Sequence, residues 1–422
     1  MFPYVTKPLQ YESLAVVIEH LEPNLRFHLS RQAPSIRSLE KRVPLKIDTL
    51  KVEPLTCFVN EGFYQLGVYR QYYDGREKMS YESAEDEDLD QFGIRSNLGK
   101  SAVLPGDIDL RTEVENEDVD REAQLMRRLQ ISKKHLEQRL QENRSTTGIQ
   151  NRIAQLRTLL EPYANRRNNI PEPCTRHLQL IIKSYKYQKV RRYPYKTPLY
   201  ESMKYLLDEF FGGRQEVIQI RSFSIDWNNK ILRFPSGIQM KIKNLDCDQN
   251  INFDALESLF HASSFSLDTV RVTCSVADPM PDHSIVKETK TLRINNTGWE
   301  EELWSPVLIR LSNKRVVLEN ESCSEPAPDY VDLVEHWLEN GRCVGTCYSM
   351  RMAEEDTALR CLRALMTKPE VVKKSDTSVT LVMNNSSKLH VSYQKIREPN
   401  AKDSKEEIKN NPAWELILEV GI

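Results

Sequence analysis

The spacing L-x-x-L-x-L-x-x-N constrains this chain more than any other feature. Ile220, Phe223 and Ile225 are followed by Asn228, and Ile242, Leu245 and Cys247 by Asn250. In a repeat of this kind a short strand turns its apolar residues inward while the asparagine bonds neighbouring backbone. Leu267, Val270 and Val272 form a third copy without the asparagine, so the steps are 242 − 220 = 22 and 267 − 242 = 25 residues. Both fall within the window of roughly 20–29 residues for such repeats. At 39% apolar residues the pattern arises by chance about once in a chain of this length, so the regular period carries the argument. An isolated copy at Ile47, Leu50 and Val52 reads as such a chance match. The fold class expected is α/β with a leucine-rich-repeat-like strand and helix body, the alternative being an ordinary α/β sheet. Either makes a binding platform more readily than a reaction centre.

With 422 residues the chain can form two or three domains. Its 28% charged residues nearly cancel to a net charge of −2, so no global field draws it to nucleic acid or an anionic membrane. No N-terminal stretch has the basic, apolar and small-residue order of a signal peptide, and apolar runs such as Leu14 to Ile18 are too short to cross a bilayer. The expectation is an intracellular protein, cytoplasmic or nuclear, without a membrane partner. Its eight cysteines are scattered without repeated spacing, which suits reduced thiols.

Five regions follow from the pattern. Residues 1–44 read as three short helices separated by proline. Leu14, Val17, Ile18 and Leu21 share one face, Leu25 and Leu29 a second, and Ile36, Leu39 and Val43 a third after Pro34. Such a module buries too little to stand alone and must pack on the next domain, on a partner, or on both. Residues 45–80 read as strands around Gly62. Residues 81–120 hold 13 Asp and Glu against 3 Lys and Arg and read as an acidic, mobile, solvated loop. Residues 121–168 read as a basic helical hairpin, with Leu125, Leu129 and Leu136 facing Ile149, Ile153, Leu156 and Leu160. Each arm holds too few heptads for a long coiled coil. Residues 169–422 read as the α/β body. Its clearest helices carry Leu199, Met203, Leu206 and Phe210, and then Leu333, Val334 and Trp337 after Asp329. The alternation in the final strand, Trp414 to Val420, suits an edge of a covered sheet.

Candidates for chemistry are few. Cys343 and Cys347, on an extended segment, would sit about 13 Å apart, too far to share one tetrahedral zinc with His336. No nucleophile elbow, Walker loop, dinucleotide-binding turn or H-E-x-x-H helix occurs. Glu300, Glu301 and Glu302 beside Trp299 and Trp304 point in different directions and suit solvent. The sequence therefore predicts no catalytic residue, no metal and no cofactor. Arg127, Arg128, Lys133, Lys134, Arg139, Arg152, Arg157, Arg166 and Arg167 could neutralise phosphates, but only Tyr163 is near to stack a base. A solvated face screened by the acidic loop is the reading preferred to nucleic acid.

Several segments carry a resemblance. Pro8-Leu9-x-Tyr11-x-Ser13-Leu14, Ile18-Glu19-x-Leu21-Glu22, Pro34-Ser35-Ile36-Arg37 and Glu40-Lys41-x-Val43-Pro44-Leu45 resemble the opening of the nematode F-box C proteins. Tyr64-x-Leu66-Gly67-Val68, Pro105-Gly106-Asp107-Ile108-Asp109-Leu110, Asn165-Arg166-Arg167-x-x-Ile170-Pro171 and Leu333-Val334-x-x-Trp337 extend the likeness. The resemblance implies an F-box-like head at 1–44 that docks the small adaptor of a cullin-RING ubiquitin ligase through Leu14, Val17, Ile18, Leu21, Leu25 and Leu29. It also implies an F-box-associated domain of unknown function downstream, holding a protein substrate whose identity the sequence does not give. A scaffold with a vestigial F-box and a nucleic-acid binder are the alternatives.

Overall fold

A computed structural model describes residues 11–73, 84–96, 102–112, 121–141, 145–184, 187–226, 230–247, 251–277, 282–296, 303–320, 330–352, 354–396 and 413–422. The head comprises α1 (Tyr11–His20), α2 (Pro23–Gln32) and, after a 3-10 turn at Pro34–Ile36, α3 (Arg37–Arg42). Glu22 caps α2 by accepting from the Leu25 N–H, and Pro23 fits the first turn, where its missing N–H costs nothing. The chain then enters a sheet through β1 (Lys46–Val52), β2 (Thr56–Val59) and β3 (Gly62–Tyr72). Short strands β4 (Asp88–Leu89), β5 (Arg95–Ser96) and β6 (Ile108–Asp109) precede the hairpin of α4 (Arg121–Gln141) and α5 (Thr147–Arg167).

Beyond the hairpin lie β7 (Cys174–Ser184), β8 (Tyr187–Pro194) and α6 (Leu199–Phe211), followed by β9 (Ile218–Ile225), β10 (Ile231–Leu232) and β11 (Met240–Cys247). Strand and helix then alternate through α7 (Phe253–Glu257), β12 (Thr269–Cys274), α8 (Ser284–Lys287), β13 (Thr291–Asn296), α9 (Ser305–Arg310), β14 (Arg315–Asn320), α10 (Val331–Asn340) and β15 (Cys347–Met352). The chain closes with α11 (Glu355–Leu365), β16 (Val371–Ser375), β17 (Ser378–Val382), β18 (Lys388–Lys395) and β19 (Trp414–Gly421).

One mixed α/β architecture results. Its large sheet runs β16-β17-β18-β19-β15-β14-β13-β12-β11-β9-β1-β2-β3-β7-β8. The centre, from β1 through β9 to β15, is parallel, and apart from β10 each strand from β9 to β15 is added beside the one before it. Both wings are antiparallel. Register aligns Leu50, Phe223, Leu245, Val270, Leu292, Val316 and Tyr348 in one inward column, and Val52, Ile225, Cys247, Val272, Ile294, Leu318 and Met350 in the next. Every member is at most 4% exposed. These columns share one core with the apolar stripes of α6, α7, α8, α9, α10 and α11. At roughly 1.5–3 kcal/mol for each fully buried large apolar side chain, they are the main source of the sheet's cohesion.

Several expectations change. The copy at Ile47, Leu50 and Val52 is no chance match: β1 lies parallel to β9 with Ile47 opposite Ile220, Leu50 opposite Phe223 and Val52 opposite Ile225. The strands between Lys46 and Tyr72 therefore belong to the body's sheet. Asn228 and Asn250 lie outside the described residues, but Asn313 does the bonding expected of them. Its Nδ2 donates to the carbonyls of Val286 at 2.7 Å, Lys287 at 3.1 Å and Thr289 at 3.2 Å, tying one turn of the body to the previous one. The segment 81–120, expected to be a mobile solvated loop, places Leu89 and Leu110 in the core. Among its described acidic residues, Glu85 is held by Arg70, and Asp107 by Lys204 and Arg233. The final strand is no edge, since β19 pairs with both β15 and β18. Its alternation reports one uncovered sheet face, where Glu415 meets Ser349 and Arg351.

Candidate functional site

The head meets the body through an unexpectedly polar face of α2. Pro23, Asn24, Arg26, Phe27 and Ser30 are its buried residues. Asn24 donates to the Val59 carbonyl at 2.8 Å and accepts from the Tyr64 hydroxyl at 2.9 Å. It also explains Gly62, where a Cβ would stand 2.8 Å from the Asn24 side chain. Phe27 stacks on Phe210 with ring centres 4.5 Å apart and planes 9° from parallel. Glu40 receives Arg26 at 3.0 Å and Arg214 at 2.9 Å, and Arg31 grips Glu209 through two bonds of 2.6 and 2.8 Å.

The six residues expected to meet a partner divide accordingly. Ile18 is 2% exposed and packs with Leu39 and Val43, so it builds the head's own small core, with Leu14 against it. Val17 at 43% and Leu25 at 44% remain open to solvent, as do neighbouring Tyr11 and Val16. Leu21 and Leu29 are half-buried. The trunk takes Asn24, Phe27 and Arg31 of α2, while Leu25 on its outer side stays open.

A cleft of about 590 Å³ opens where the head meets the end of α6, with Arg37, Lys41 and Arg42 on one wall and Asp208 and Glu209 on the other. Lys41 donates to the carbonyls of Glu209 at 2.6 Å and Phe210 at 3.0 Å, closing the helix end. Burial, reinforced by the Arg214 charge, brings Lys41 down to about 8. A lysine depressed in the fold is charged in both states below pH 8, loses its penalty between about 8 and the ordinary 10.5, and so makes stability rise with pH over that window. Relative to Lys41→Met, the wild-type chain should gain on the order of 2 kcal/mol between pH 8 and pH 10.5, after allowing for solvent screening. Urea melts of both proteins across that range check it, and parallel curves refute it.

On the uncovered face of the parallel strands, charged residues pair across the sheet. Arg271 bonds Glu319 at 2.7 Å and lies 3.6 Å from Asp246, while Arg293 takes the other oxygen of Glu319. Burial would raise the Glu319 carboxyl, but the hydrogen bonds from Arg271 and Arg293 outweigh it and hold it below its ordinary value. These ion pairs link neighbouring strands across the sheet.

The basic hairpin has its own core of Leu129, Ile153, Leu156 and Leu160. Arg127, Arg128, Lys133, Lys134, Arg152, Arg157 and Arg166 are exposed, and Arg139 is half-buried. Arg167 pairs with Glu122 inside the hairpin, and Arg121 reaches Glu87 at 3.6 Å. Tyr163 packs against the hairpin core. Glu300, Glu301, Glu302 and Trp299 lie outside the described residues, while Trp304 is buried in the body. Cys343 precedes the strand, which begins only at Cys347, so extended spacing does not govern that pair. Among the described residues no three His, Cys, Asp or Glu side chains are grouped to hold a metal, and no helix is long and apolar enough to cross a membrane.

The repeating part of the body carries a family signature. Residues 198–354 match the family described as a domain of unknown function, DUF3557. That span runs from α6 to just beyond β15, and so covers the added parallel strands and the helices between them. The match is consistent with an F-box-associated domain of unknown function. No curated protein and no solved structure matches the chain significantly.

Proposed function

We propose that the protein is a non-enzymatic interaction protein, the substrate-recruiting subunit of a cullin-RING ubiquitin ligase, with an F-box-like head and a leucine-rich-repeat-like trunk. The observation that carries this reading is the division of the head's surface. One side of α2 is spent on the trunk, and Tyr11, Val16, Val17 and Leu25 stay accessible on a module too small to bury them itself. The trunk reading is supported by the column through Phe223, Leu245, Val270, Leu292 and Val316, whose successive steps of 22, 25, 22 and 24 residues keep one strand per turn.

Val17→Asp combined with Leu25→Asp is expected to abolish co-purification with the purified cullin adaptor. Unfolding free energy should move by no more than about 0.5 kcal/mol per site, because both side chains already face water. Failure of the unmutated protein to retain the adaptor would leave a scaffold with a vestigial F-box. A nucleic-acid reading is favoured by the exposed cations of the hairpin, yet Tyr163, the aromatic nearest them, packs inward and is not free to stack a base.

A further inference from the structure

The uncovered sheet face ends in a charged rim whose pattern follows from register. Thr49, Ser222, Asn244, Thr269, Thr291 and Arg315 stand opposite one another on successive parallel strands. The residues one position earlier therefore form a second row: Asp48, Arg221, Lys243, Asp268, Lys290 and Lys314. Within it Arg221 pairs with Asp48 at 3.0 Å and Lys290 with Asp268 at 2.6 Å. Lys243 and Lys314 are exposed and make no direct ion pair among the described residues, though, after the Lys290 hydrogen bond, the Lys243 charge helps hold Asp268 below its ordinary value. Lys241 and Arg315, also exposed, flank the row. Six cations and two carboxylates thus give the rim a surplus of four positive charges, in a chain whose net charge is −2.

We propose that this rim docks an extended acidic peptide segment laid across the strands. Neighbouring strands are about 4.8 Å apart, so Lys243 and Lys314, three strands apart, are separated by about 14 Å. Side chains four residues apart on an extended peptide span about 13 Å, so two such carboxylates reach both lysines at once. Arg221 beside Lys243, and Lys290 beside Lys314, widen each end to accept a second acidic group. Asp268 between the two ends selects against an acid in the middle. The hydroxyl and amide row of Thr49, Ser222, Asn244, Thr269 and Thr291 lies alongside, offering donors and acceptors to a peptide main chain. No aromatic residue stands in either row to stack a base, which separates this surface from a single-strand nucleic-acid platform. The inference concerns the trunk alone. It rests on the substrate-recruiting reading only for calling the peptide a substrate, and its test leaves the head untouched.

A fluorescein-labelled peptide with glutamate pairs spaced four residues apart and one lysine between them is the probe, read by anisotropy against the full chain at low and physiological salt. Binding is expected to weaken as salt rises and to fall at least tenfold in Lys243→Glu with Lys314→Glu, a variant whose circular dichroism and melting temperature match the parent. The same double variant should bind a matched peptide with lysine in place of glutamate more tightly than the parent does. Absence of acidic-peptide binding to the parent, or binding untouched by the variant, overturns the proposal. So does a 20-nucleotide single strand that binds more tightly than the peptide and is lost in the same variant. Adaptor retention by the parent is unaffected in any of these cases, which keeps this test apart from that of the head.

Discussion

Glu40→Ala is expected to cost about 3–5 kcal/mol of unfolding free energy, enough to threaten a domain of ordinary marginal stability. The Glu40 side chain is 1% exposed and sits between guanidinium groups 1% and 4% exposed, those of Arg26 and Arg214. Truncation leaves two buried cations facing each other without the carboxylate that brought them together. Arg26 keeps its bonds to the carbonyls of Pro44, Glu40 and Val43 at 2.7, 3.1 and 2.9 Å, and Arg214 keeps that of Phe210. The carbonyls satisfy hydrogen bonds but do not neutralise charge. Because the cluster joins α2 and α3 to the residue just past α6, the loss should appear first as loosening of the head. Glu40→Gln, which retains shape and one acceptor, should fall between parent and alanine. Replacing Glu40, Arg26 and Arg214 together by apolar residues should recover much of the loss. Urea melts decide it, and a cost below 1 kcal/mol for Glu40→Ala would mean the cations reach water.

Much of the body could be read from pattern because its elements are local. The stripe Leu199, Met203, Leu206, Phe210 became α6, the stripe Leu333, Val334, Trp337 became α10, and the apolar seam of residues 121–168 became two facing helices. What was misread depends on partners remote in the chain. The repeat copy at Ile47 is separated from its neighbour Ile220 by the hairpin and the four antiparallel strands β2, β3, β7 and β8, and no period connects them. Arg26, Glu40 and Arg214 have the residue types of a surface and are buried only because they satisfy one another across 174 residues of sequence. The same cause hid the rim, where Arg221, Lys243 and Lys314 each look like an ordinary exposed charge until register places them in one row. Alternation in β19 was legible, but alternation identifies a half-covered face and is silent on whether a strand is internal.

Asp107→Ala should be as damaging as loss of Glu40, at about 3–5 kcal/mol, and for a related reason in a segment whose acidity suggested solvent. The Asp107 carboxylate is fully buried, with Oδ1 2.8 Å from Lys204 of α6 and Oδ2 2.5 Å from Arg233, and Oδ2 also accepts the Leu104 N–H at 2.8 Å. Lys204 and Arg233 also bond the carbonyls of Phe234 and Ala102, so the ion triad tethers residues 102–112 to two elements distant in sequence. The turn that delivers the carboxylate needs Gly106, at φ +82° and with Ser236 where a Cβ would go. Beyond it, β6 pairs with β10, and Leu110 enters the core while its N–H donates to the Lys230 carbonyl at 2.8 Å. Removing the carboxylate strands two cations and releases the anchor of this segment, so Arg111 should become a site of rapid tryptic cleavage in the otherwise folded variant. Asp107→Asn keeps the acceptor for Leu104 and should recover part of the loss without restoring full resistance. Unchanged cleavage at Arg111, together with a cost below 1 kcal/mol, would show that the apolar contact of Leu110 alone holds the segment and that the ion triad is incidental.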